Sequence, residues 1–263
     1  MNPYKPFYLV LKLLLVLTLL STQVKAQEVG DEHPLQAVVM ETEPWGFYNP
    51  ETGEPQGIWL DIAQELEQVS GLQQNKRLVP YARAIHALAY GGADISYLIR
   101  SPDRDAEVEH AGHLFYFGSV IQARHGVELK TYEDLQGLRI GVLQSIRLSP
   151  RFDQDQQLHK VTVRNYENML SMLAAGRLDA VSGNSLSLAY LQEQMQLQEI
   201  LGDRLVLQVT PVTVQFSRQS EHLDQLPRIK EAVEQLSEAG RIHAILDAWA
   251  GELWRVDEAE VVQ

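Results

Sequence analysis

The 263-residue sequence contains no cysteine. Disulfides, thiolate metal sites and cysteine nucleophiles are therefore excluded. Positive charge is also scarce: 22 lysines and arginines stand against 35 aspartates and glutamates, a formal net charge of −13. Such a balance repels phosphate backbones and anionic lipid, so no nucleic-acid partner is expected. No long hydrophobic run is present; the longest uncharged apolar stretch, Leu13 to Val24, falls short of the roughly 20 residues that span a bilayer. Several enzyme signatures are missing as well: G-x-S-x-G, H-E-x-x-H, the P-loop and G-x-G-x-x-G. His110 and His113 have no acidic or thiolate companion at metal spacing, so neither a metal site nor a cofactor is expected.

What remains is a globular composition, 45% hydrophobic and 22% charged, large enough for one sizeable core or two modest ones. The first 26 residues read differently. Lys5 gives a positive start, an apolar run follows, and Val24-Lys25-Ala26 offers a small-residue exit, which predicts a secretory signal at residues 1–26 cleaved before Gln27. Its removal takes three lysines and no acid, moving the charge from −13 to −16. The expectation is an exported, acidic, soluble protein.

Two stretches then repeat at a distance of 85 positions: LAYGGADIS from Leu88 to Ser96 and LAAGRLDAVS from Leu173 to Ser182. Before each lies an apolar pattern at helical spacing, Ala82, Ile85, Leu88 and Ala89 in one and Met169, Leu170, Met172 and Leu173 in the other. Gly91 and Gly176 follow where a left-handed residue can end a helix. Asp94 and Asp179 then open apolar runs that read as buried parallel strands. Helix, glycine and strand also follow one another by chance in α/β proteins, so the surroundings matter. Around the first unit, Ala37 to Met40 reads as a strand, and Ile58, Ile62, Leu66 and Val69 line a helix ended by Gly71. Around the second, Thr131 caps a turn with Asp134, and Arg139 to Leu143 reads as a strand. Each half becomes β-α-β-α-β.

At this point the sequence resembles the periplasmic solute-binding proteins of the polar amino acid ABC-transporter type, extracellular solute-binding protein family 3. The landmarks are EPWGFYNPETGEPQGIWLDIAQEL (43–66), VPYARAIHALAYGGADIS (79–96), SPDR (101–104), YEDLQGLRIGVLQS (132–145), LAAGRLDAVSGN (173–184) and SEAGRIHAILDAWAGE (237–252). The resemblance implies the type II periplasmic binding fold: two α/β lobes, each a mixed, mainly parallel sheet flanked by helices, joined by two hinge strands. Residues 27–116 and 213–263 would form lobe 1 and 117–212 lobe 2, with crossings near HLFYFGSV and VTPVTV. Ligands of open α/β sheets lie beyond the carboxyl ends of strands, so the residues after Asp94 and Asp179 should face a cleft that closes about the hinges. The implied function is capture of a small polar, carboxylate-bearing solute, delivered to an inner-membrane ABC permease. A membrane sensor is the alternative partner, and a cyclohexadienyl-dehydratase-like enzyme a further reading on the same fold. The expected location is the periplasm, the expected state a monomer without enzymatic activity.

The same resemblance marks the site. Arg104 in SPDR occupies the family's arginine, whose planar fork matches a carboxylate; a surface pair with Asp103, Asp105 or Glu107 is the alternative. Trp45 and Tyr81 occupy the family's aromatic positions against the ligand, though either ring could instead fill core. Arg83 would add positive potential. Ser96 and Tyr97 are donors in a ligand loop about two residues shorter than the usual pattern. Ser145 and Arg147 stand where the family writes a Gly-Thr pair, and Asn184 stands where amino-acid binders carry an aspartate for the α-ammonium. An amide contributes no charge attraction, so these departures point to an anionic or carboxylate-bearing solute, an amino acid or a related organic anion, that need not be a standard amino acid. The tail pattern of Leu223, Leu226, Ile229, Val233 and Leu236, then Ile242, Ile245, Leu246 and Trp249, predicts two helices on lobe 1, with Glu252 to Gln263 ending loosely.

Overall fold

The chain begins its fold as the repeat predicts, with alternating strand and helix. In the computed structural model, which describes residues 33–144 and 146–262, β1 (Leu35–Met40) leads through a small hairpin, β2 (Phe47–Tyr48) with β3 (Pro55–Gln56), into α1 (Ile58–Ser70). The expected export signal, residues 1–26, and Ser145 lie outside the described residues. Helix α1 buries Ile58, Trp59, Ile62, Ala63 and Leu66 on one face and stops at Gly71, whose φ of 73° is left-handed. Val69, expected on that face, is instead exposed. Next come β4 (Gln74–Val79), α2 (Tyr81–Ala89) and β5 (Ile95–Ile99).

A long strand, β6 (Val108–Arg124), carries the chain onward to the second repeat. There β7 (Arg139–Leu143), α3 (Pro150–Gln154), β8 (His159–Val163), α4 (Tyr166–Ala174) and β9 (Ala180–Asn184) follow. Helix α5 (Ser185–Gln194) leads into a second long strand, β10 (Leu201–Ser217), and the chain closes with α6 (Leu226–Glu238) and α7 (Arg241–Ala250).

Eight strands form one sheet in the order β4-β1-β5-β10-β6-β9-β7-β8. On one side β4, β1 and β5 pair in parallel, and on the other β8, β7 and β9 do the same; β10 and β6 join them antiparallel. Because β6 and β10 each run 17 residues through both halves, the two expected sheets are continuous. The sheet nevertheless has a waist. β5 reaches β10 only over Val212 to Phe216, and β9 reaches β6 only over Ser119 to Ala123. Between these zones Phe117 and Gly118 pair with Thr210 and Val209 in a ladder two strands wide.

The packing follows the pattern of the sequence. Leu66, Leu88, Leu170 and Leu173 are at most 1% exposed, and each such side chain contributes roughly 1.5–3 kcal/mol by leaving water. The C-terminal segment departs from expectation. Trp254 is 3% exposed and the Val262 N–H donates to the Val206 carbonyl at 3.0 Å, so residues 252–262 are packed, held by Trp254, Val256 and Val261 at positions with no helical or strand period. Among the described residues no helix is long and apolar enough to cross a membrane.

Candidate functional site

Strand alternation sets up the site. At the waist, Phe117 and Ser119 of β6 and Gln208 and Thr210 of β10 are spaced by two, so each pair points to the same face of the sheet. These four line a cavity of about 670 Å³, flanked from one side of the waist by Tyr81 and the turn Ile99 to Arg104, and from the other by Arg147 to Pro150, Asp153 and Gln154. Three arginines (Arg100, Arg104 and Arg147) and two aspartates (Asp103 and Asp153) therefore share one opening.

The three cations are not equivalent. Arg100 sits 3.2 Å from Asp105, which also accepts from His110 Nε2 at 2.7 Å. Those bonds, from His110 and then Arg100, hold the Asp105 carboxyl below its usual range. Arg104 donates through Nη2 to the Ile99 carbonyl, and its buried Nε has no partner among the described residues. Only the end of the fork, at Nη1 and the second Nη2 hydrogen, is left for a ligand. Arg147 is exposed, with no hydrogen bond or ion pair among the described residues. A guanidinium without a partner at the mouth of a cavity is available to an anion.

The structure brings Tyr81, Arg104 and Arg147 to this cavity and places the other described residues of the expected site elsewhere. Trp45 is 2% exposed, stacks on Trp59 at 4.9 Å and donates its indole N–H to Ser187 Oγ at 3.1 Å. Ser96 donates to the Val38 carbonyl at 2.7 Å inside the sheet. Tyr97 is buried, its hydroxyl 2.8 Å from Gln74 Oε1, and desolvation raises its pKa despite that bond. Both Ser96 and Tyr97 face inward because β5 is covered on both faces. Arg83 is exposed on α2 beyond the lining. Asn184 caps α5: its Oδ1 accepts from the Ser187 N–H at 2.6 Å. Ser145 lies outside the described residues.

The lining also includes Phe117, Ser119 and Thr210, from the expected hinge strands, and Gln208 beside them. Their period of two is a legible signal, obscured by the apolar residues between them. No group of three or more histidines or acids suited to a metal occurs among the described residues. His113 lines a different cavity with His243, and burial pushes its pKa down, helped by that neighbour.

The model for the bacterial extracellular solute-binding proteins, family 3, matches residues 35–252, most of the sequence. The chain belongs to this family. Solved structures of similar fold include an ancestral cationic amino acid solute-binding protein, 18% identical, covering 82% of this chain and 95% of that one with a TM-score of 0.67. The L-cystine solute receptor of Neisseria gonorrhoeae, in its unliganded open conformation, is 13% identical over 85% of this chain and 95% of its own, also at 0.67. A histidine kinase sensor domain with similarity to periplasmic binding proteins is 17% identical over 83% and 96%, at 0.62. A comparison with curated proteins gave no match. At these identities the likeness concerns the fold: family 3 architecture, with a mainly parallel sheet flanked by helices.

Proposed function

We propose that this family 3 protein is an exported receptor that captures a small carboxylate-bearing solute in the cavity at the waist and delivers it to an ABC permease. The observation that carries the reading is the pair Arg104 and Arg147, lining one cavity from opposite sides of a two-stranded waist. Residues 27–116 with 213–263 act as one lobe and 117–212 as the other. Bending at the waist brings Arg147 toward Arg104 and excludes water from both, which strengthens their attraction for an anion. Tyr81, 40% exposed at the start of α2, supplies a flat apolar wall, while Ser119, Gln208 and Thr210 offer neutral donors from the floor.

Asn184 supports a solute other than a standard α-amino acid. Its carbonyl oxygen is committed to the helix cap, so no acceptor for an ammonium is available there. Three arginines against Asp103 and Asp153 leave the lining net positive, which suits a small carboxylate.

A thermal-shift screen of residues 27–263, refolded to strip resident ligand, tests this against mono- and dicarboxylates, amino acids and polyamines. A binder at 100 times its dissociation constant adds about 2.7 kcal/mol. Arg104→Ala and Arg147→Ala should each weaken the best carboxylate about 100-fold, roughly 2.7 kcal/mol. Unchanged affinity in both variants would sink the reading.

A further inference from the structure

We propose that the C-terminal segment from Leu253 to Val262 is a third connection between the two halves and positions the walls of the cavity, holding them apart in the empty protein. The proposal rests on the reading of the waist as a hinge.

The segment is anchored at both ends. On the first half, Trp254 packs edge-on to Phe115 at 5.9 Å, stacks on His243 at 5.6 Å and donates to Asp247 at 3.0 Å. Arg255 pairs with the same aspartate at 2.6 Å. On the second half, Val261 bridges to Val206 of β10 and the Val262 N–H donates to the Val206 carbonyl at 3.0 Å. Arg204, in the same part of β10, donates to the Leu253 and Arg255 carbonyls and sits 3.6 Å from Glu260.

Between the anchors the segment crosses the waist itself. A Cβ added to Gly118 would lie 2.6 Å from Val256 Cγ1, so Val256 rests directly on the β6 backbone. Alternation fixes the side of the sheet: Phe117 and Ser119 face the cavity, so Gly118 faces the reverse. The register shift between Val206 and Gln208 re-phases β10, which lets Gln208 face the cavity while Val206 pairs with Val120 on the reverse face.

From Val256, against Gly118, to Val261, against Val206, the segment lies on the reverse face, and a strap there has a directional effect. Bending the waist toward the cavity lengthens the reverse side, so closure must draw on whatever length the strap holds in reserve. That reserve is the short 3-10 turn Glu258–Glu260, whose unwinding loses hydrogen bonds. The strap therefore opposes closure and leaves the cavity open until a ligand offsets the cost.

The absence of native cysteine makes the test direct. Cysteines at Ala82 and Gln156, both exposed and outside the cavity lining, carry spin labels on the two halves, and double electron–electron resonance reads their separation without any ligand. Three chains are compared: full length, one ending at Gly251, and full length with Arg204→Met, which keeps the segment and its backbone contacts to Val206 while removing the side-chain ties that Arg204 makes to it. Both altered chains should show at least about twofold more of the shorter-distance population. A broad distribution in the full chain that neither change moves overturns the strap while leaving the hinge. A single narrow distance in all three chains overturns both.

Discussion

The two repeats do the same structural work and hand the chain on differently. In the first, the Asp94 carboxylate accepts the Gln36 N–H at 2.6 Å, its own N–H donates to the Gln36 carbonyl, and its carbonyl accepts from Ser217 of β10. In the second, Asp179 accepts the Arg139 N–H at 2.9 Å, donates to the Arg139 carbonyl, and accepts from Arg124 of β6. Even the helix ends agree: Gly92 N–H to Ala87 and Arg177 N–H to Met172, with Gly91 and Gly176 both left-handed. Each aspartate thus staples the entry of one parallel strand to its neighbours. The far ends of those strands diverge. After β5 the chain turns into the arginine-bearing segment of the cavity, whereas β9 ends on Asn184, which begins a helix. A repeated motif therefore marks repeated folding, and the candidate site lies where the repeats differ.

The staples themselves are unequal. Asp94 is 7% exposed and among the described residues bonds otherwise only to Ser220, while the Asp179 side chain is 20% exposed and grips Arg139 through Nε at 2.9 Å and Nη2 at 2.7 Å. Losing a buried acceptor strands its donors without water, so Asp94→Ala should cost about 3 kcal/mol and Asp179→Ala about 2 kcal/mol. Urea midpoints at pH 7 measure both. Equal or reversed losses would break the distinction between a buried staple and a wet one.

Much of the fold was legible because it rests on local rules. The periods of α2 and α4, the glycines that end them and the apolar β5 and β9 are all written within single segments. The candidate site was legible in part, as residues that meet at one cavity. Arg104, Arg147 and Tyr81 line the cavity, but Trp45 is pulled inward by Ser187, 142 positions away, a distance that no local pattern reports. Asn184 does carry a local signal, an asparagine directly before a helix. The C-terminal segment was the least legible, since Trp254, Val256 and Val261 follow no period and find their partners only on the assembled sheet.

Acid sharpens the same comparison. The Arg139 fork lowers the Asp179 pKa to about 2, below the ordinary value near 3.9 in an unfolded chain. A carboxyl depressed by folding adds stability that is full above the unfolded pKa and is lost as pH falls through the folded one. Asp179→Asn should therefore be less stable than the parent at pH 6, by about 1 kcal/mol once solvent screening of a partly exposed pair is counted. That gap should close between about pH 4 and pH 2. Denaturant titrations across this range test it, and a gap that stays constant to pH 2 would mean that Asp179 acts through its hydrogen bonds alone.

Asn184 gives the smallest and most selective effect. As a cap on α5 it satisfies one N–H at the helix start, so Asn184→Ala should cost about 1 kcal/mol. Asn184→Asp keeps the acceptor and adds a negative charge where the helix dipole favours one, so stability should change by no more than about 0.5 kcal/mol. A ligand contact predicts something else: a new carboxylate would raise affinity for ammonium-bearing compounds and lower it for plain carboxylates. Unfolding midpoints and thermal shifts on the same two variants separate these roles. With its side chain turned into the helix cap, Asn184 should change stability in the alanine variant and leave the ranking of ligands in the aspartate variant as it was. A ranking that moves toward amino acids would place the end of β9 back in the site and restore the functional symmetry of the two repeats.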